Sequence, residues 1–100
     1  MQIRIETKES AVNCLRKAGY GFLGQDQEKG DLSFAKRVTG NEYPRFHAYI
    51  QKNESILIIN LHLDQKRPSY GGASHAHNAE YDGQLVEKEA QRIKNIIALI

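Results

Sequence analysis

The stretch HLDQKRPSYGGASHAHNAEYDG, residues 62 to 83, gathers three of the chain's four histidines with Asp64, Glu80 and Asp82. Imidazole nitrogens and carboxylate oxygens are ligands that zinc and similar divalent ions take three or four at a time, two of them often from a short local pair. His62 and Asp64 form such a pair if they lie on a strand, where residues two apart project from one face, about 7 Å from each other. His75, His77 and Glu80 are candidates to complete the set, with His47 in reserve. The same inventory suits metal-free chemistry of a small, nuclease-like kind. His62 would be the general base, Asp64 or Glu80 would orient it, and Arg45, Lys66 or Arg67 would hold an anion such as a phosphate. A third reading takes no chemistry from the stretch: a solvated strand end followed by a polar loop.

The elements decide which of these residues can meet. MQIRIE alternates polar and apolar residues and suits a first strand. Thr7 is placed to cap a helix over 8–18 whose apolar stripe is Ala11, Val12, Leu15 and Ala18, with Gly19 closing it. YGFLGQDQEKGD reads as a connection. Three strands follow. LSFAKRV puts Leu32, Phe34 and Val38 on one side and Ser33, Ala35 and Arg37 on the other, with Lys36 breaking the apolar side. RFHAYI separates Phe46, Ala48 and Ile50 from Arg45, His47 and Tyr49. ILIINLHLD carries the strongest strand signal, with Leu57, Ile59, Leu61 and Leu63 on one side and Ile56, Ile58, Asn60, His62 and Asp64 on the other.

A tight hairpin centred on Asn53 and Glu54 would set His47 across from Asn60 and Arg45 across from His62. One sheet face then gathers Arg37, Arg45, His47, Tyr49, Asn60, His62 and Asp64. Residues 65–81 show neither helical nor strand periodicity and are expected to form a long loop, of the kind that tends to be functional or mobile. Asp82 is placed to cap a last helix with Val86, Ala90, Ile93, Ile97 and Ile100 at steps of four and three. Leu85, Ile96 and Leu99 widen its stripe, which fits either a broad core contact, the commoner case, or a homodimer through this helix. The expectation is a single α+β domain over 1–100 in the order β-α-β-β-β-α, its antiparallel sheet carrying both helices on the apolar face.

Known histidine motifs help mainly by failing to fit. HAHNAE looks like the start of the metallo-β-lactamase HxHxD motif, but Ala79 stands where that motif has Asp. It is also similar to the cupin pattern, yet only Asn78 and Ala79 separate His77 from Glu80. The topology after the first strand resembles the double-stranded RNA-binding fold, which implies a nucleic-acid interaction module. That fold leads one to expect a basic start to the last helix. Here Asp82, Glu87 and Glu89 are acidic, and acids at that end repel phosphate.

Composition bounds the remaining classes. One hundred residues bury one modest core, and 40% hydrophobic content supplies it. A net charge of +2 is too balanced to imply nucleic acid by itself. No stretch is apolar enough for a membrane span, and the N-terminus lacks a secretory pattern, so a cytoplasmic location is expected. The single cysteine, Cys14, excludes an internal disulfide and a CxxC zinc site and reads as a small half-buried apolar side chain. The reading that combines these features is a small domain of unassigned activity with a His/Asp/Glu site suited to a divalent metal such as zinc.

Overall fold

The computed structural model describes residues 1–65, the main chain of 79–80, and residues 83–100. Its elements in chain order are β1 (Gln2–Glu6), α1 (Ala11–Lys17), β2 (Gly21–Gln25), β3 (Leu32–Arg37), β4 (Arg45–Asn53), β5 (Ile56–Asp64), β6 (Ala79–Glu80) and α2 (Gln84–Ala98). The strands form one antiparallel sheet in the order β1-β5-β4-β3-β2, with β6 also paired to β5. The expected α+β frame is present, and β2 and β6 add to it.

Alternation on β5 accounts for the core. Leu57, Ile59, Leu61 and Leu63 are buried together with Phe46, Ala48 and Ile50 from β4 and Phe34 from β3. Both helices cover this side, α1 through Ala11, Cys14 and Leu15, α2 through Val86, Ala90, Ile93 and Ile97, and all join one cluster. Burying each large aliphatic side chain contributes roughly 1.5–3 kcal/mol, which makes this layer the main source of stability. Lys36 occupies an apolar-side position without spoiling it. Its Cε lies 3.2 Å from where a Cβ on Gly19 would stand, so its methylene stem packs over the end of α1. Gly19, at φ 92°, closes the helix as expected.

Four local expectations are corrected. Helix α1 starts later than 8, because Ser10 caps it by accepting from the Asn13 amide, while Thr7 accepts from the Glu9 amide in a turn before it. Residues 21–25 are a strand and not a connection. Its glycines mimic turn signals, but β2 is an edge strand with a bulge between Phe22 and Gly24, where glycine is tolerated. Within the long loop, Ala79 and Glu80 pair with β5. Helix α2 takes Gly83 as its N-cap, with no side-chain cap hydrogen bond; Asp82, expected to cap it, lies outside the described residues.

A buried polar clamp joins the two helices. The Tyr20 hydroxyl donates to Glu89 Oε2 at 2.6 Å, Arg92 Nε donates to Glu89 Oε1 at 2.8 Å, and Arg92 Nη2 donates to Glu89 Oε2 and to the Ala18 carbonyl, both at 2.7 Å. Glu89 is therefore a paired core carboxylate and not one of the acids that face solvent at the head of the helix. Leu85 and Leu99 on the same helix are exposed. Among the described residues no helix is long and apolar enough to cross a membrane.

Candidate metal centre

The other side of the sheet carries the polar residues of β3, β4 and β5. The β4–β5 register pairs His47 with His62, Arg45 with Asp64 and Tyr49 with Asn60, and directly opposed residues share a face. This corrects the expected pairing by two residues. Asn53 still pairs, with Ile56, and the turn is made by Glu54 and Ser55, with Glu54 in the left-handed region at φ 55°.

Asp64 joins the two imidazoles. Its Oδ1 is 2.9 Å from His62 Nε2 and its Oδ2 is 3.2 Å from His47 Nδ1. The far nitrogen of His47, Nε2, is 2.7 Å from Ser33 Oγ. Tyr49 lies against both rings, stacked on His47 at 4.4 Å between centroids and on His62 at 5.6 Å. Arg45 Nε stands 3.6 Å from Asp64 Oδ2, an ion pair beyond hydrogen-bond reach, and the guanidinium lies over the Tyr43 ring at 4.9 Å. His62 is only 8% exposed although it sits on the side without helices.

Two opposing effects act on the Asp64 carboxyl. Burial pushes its pKa up, but hydrogen bonds from His47 and then His62, together with their charge, outweigh burial and hold it well below the usual carboxylate range. The carboxylate is thus ionised at neutral pH and accepts protons from both nitrogens facing it. His47 Nε2 and the Ser33 hydroxyl share a hydrogen bond whose direction follows the form of the imidazole.

His47, His62 and Asp64 each offer a ligand atom, and these atoms lie within 4.8 Å of one another. A tetrahedral ion with ligands at about 2.0–2.1 Å holds them about 3.3 Å apart, so modest side-chain adjustment closes the set. An incoming ion would replace the protons on the facing nitrogens.

The expected residues thus divide. His62 and Asp64 lie together as the strand spacing implied. His47, held in reserve, also reaches the carboxylate, at 3.2 Å against 2.9 Å for His62. Arg45 borders the cluster, and Arg37, Tyr49 and Asn60 share its face. His75, His77, Lys66 and Arg67 lie outside the described residues. Register places Ala79 across from Asp64 and Glu80 across from Leu63. Ser33 went unnoticed as a partner of the cluster, although its place on the polar side of LSFAKRV was the available signal. Cys14 is completely buried rather than half-buried, and burial, with the charge of Glu9, pushes its thiol pKa up, as befits an inert core side chain. Comparison with protein-family models, with curated proteins and with solved structures gives no match, which leaves geometry as the ground for function.

Proposed function

We propose that this protein binds a divalent transition-metal ion, with zinc as the reference ion, through His47, His62 and Asp64. The observation that supports this is the convergence of two imidazoles and one carboxylate within 4.8 Å, from two adjacent paired strands. Two nitrogens and one oxygen suit zinc, nickel or cobalt better than magnesium or calcium, which favour all-oxygen sites. Three protein ligands leave a position for water or substrate, the pattern of catalytic rather than structural zinc. A further ligand from His75 or His77 belongs to the proposal and would close that position; Glu80, in register with Leu63 and not with Asp64, is left out of it.

The test is thermal unfolding of EDTA-stripped protein with and without added Zn²⁺. Binding to the folded state raises the melting temperature. The rise should vanish in a His47→Ala/His62→Ala double variant whose circular dichroism matches the parent, and a His75→Ala/His77→Ala variant reports on the further ligand. No rise with Zn²⁺, Ni²⁺ or Mn²⁺ overturns the proposal. The line of contacts Ser33–His47–Asp64 favours a second reading, metal-free acid–base chemistry. Phosphodiester cleavage that persists in EDTA and is lost in His47→Ala would replace the metal reading.

A further inference from the structure

Beside the metal cluster is a cavity of about 230 Å³ lined by Phe22, Leu23, Ala35, Arg37, Glu42 and Arg45. Arg37 and Arg45 are register partners on β3 and β4, so both side chains leave the same face of the sheet. Like charges directly opposed across strands repel. Arg37 is exposed and makes no hydrogen bond or ion pair among the described residues. Arg45 Nε is buried with no hydrogen-bond partner among them. An unfilled buried donor is costly, and a charged one more so. Glu42 brings one negative charge to a lining with two guanidinium groups, and Asp64, 3.6 Å from Arg45 Nε, brings a second from beside it, so Arg37 is the cation left without an ion pair among the described residues.

The edge strand lines the cavity with a residue of another kind. Leu23, 51% exposed at the bulge, is a large apolar side chain, whereas Phe22 is the register partner of Phe34 and meets its ring edge-on at 5.4 Å, on the helix side of the sheet. A cationic pair facing an apolar rim matches an anion that carries a small hydrophobic group. Two guanidinium forks can share the oxygens of one phosphate, whereas a carboxylate has only two oxygens to divide between them. The volume lies below the roughly 300–1,000 Å³ of pockets for drug-sized molecules, which sets a small ligand.

We propose that this cavity binds a small phosphate monoester bearing an apolar group, its phosphate held between Arg37 and Arg45 and its apolar part against Leu23. The site needs no metal; Arg45 also borders Asp64, so its test is run without the ion proposed at His47, His62 and Asp64.

The probe is phenyl phosphate, titrated into the full chain at pH 8 in EDTA and followed by amide chemical shifts and calorimetry. Saturable shifts at Ala35, Arg37 and Arg45 are expected, with affinity at least about tenfold above that of inorganic phosphate. Arg37→Ala, an exposed position, should weaken phenyl phosphate about tenfold or more without changing the melting temperature. Leu23→Ser should lower phenyl phosphate affinity and leave inorganic phosphate unchanged. Absence of saturable shifts at those amides, or full affinity in Arg37→Ala, overturns the site. Equal affinity for inorganic phosphate overturns the assigned ligand class. Because EDTA is present throughout, a negative result here leaves the Zn²⁺ melting experiment to be judged alone.

Discussion

His47 and His62 stand opposite each other on neighbouring strands, ring centroids 5.0 Å apart, and each turns one nitrogen to a different oxygen of Asp64. Both rings are fixed by sheet pairing and by the Tyr49 ring lying against them, so capturing an ion orders little that is not already ordered.

Ser33 orients this pair from outside. Its hydroxyl holds the far nitrogen of His47, and loss of such a partner typically lowers metal affinity about 10–100-fold. Ser33→Ala should therefore weaken Zn²⁺ within that range, measured by competition with a chromophoric chelator, and Ser33→Thr should restore most of it. An unchanged constant for the alanine variant would remove Ser33 from the site.

The two faces of β5 should respond independently. Leu61 is buried on the helix side, next in sequence to His62. Leu61→Ala should cost about 2–5 kcal/mol in urea unfolding through the cavity it leaves. The Zn²⁺ affinity of the fraction that remains folded should stay within about twofold, because the two side chains project from opposite faces of the sheet.

The clamp between the helices predicts an alkaline limit to stability. Burial, and then the hydrogen bond and charge of Glu89, push the Tyr20 phenol above its ordinary pKa of 10.0, and Arg92 only partly offsets them. A raised folded-state pKa means that the contribution is complete below the ordinary value and lost as pH rises through and beyond it. Tyr20→Phe should cost about 1–2 kcal/mol at pH 7. Its denaturation free energy should then fall less steeply than the parent's above about pH 10.

Removing the other arm of the clamp should cost more. Arg92→Ala leaves Glu89, 6% exposed, without its cation. Because the Arg92 side chain is 38% exposed, the expected loss is about 2–3 kcal/mol, less than the ~3–5 of a fully buried pair. Arg92→Ala/Glu89→Gln should recover part of it, since a neutral amide tolerates burial better than an unpaired charge. Equal stability of the two variants in guanidinium titrations would contradict this.

Much of this arrangement is legible in the order of residues, for reasons that differ by element. Period-two alternation in RFHAYI and ILIINLHLD identifies both faces of the central strands, because burial on one side alone imposes that pattern. The hairpin turn was misplaced by one residue, which displaces the pairing by two, and a shift of two preserves which face each residue occupies. The polar cluster was therefore gathered correctly while its partners were wrong. His47 was undervalued because proximity along the chain favoured His75, His77 and Glu80, whereas proximity across strands is set by the turn. Edge strand β2 was hidden by Gly21 and Gly24, whose local signal is that of a loop and whose pairing depends on β3. Glu89 shows the same blindness: nothing nearby in sequence announces that Tyr20 waits for it across the core.

The turn at Glu54 and Ser55 has an influence out of proportion to its size. Strand β4 runs from it to Arg45, eight residue steps or roughly 26 Å. Across that distance the turn acts as the gauge that decides which side chains meet at the far end. Adding or deleting one residue there would send His62 and Asp64 toward the helices and bring leucines to the open face, so the ligand set and the core would fail together. A change of two would keep the core and dissolve only the encounter of His47 with His62. Length variation at this remote bend is thus a lever on the chemistry of the sheet that leaves every ligand residue in place.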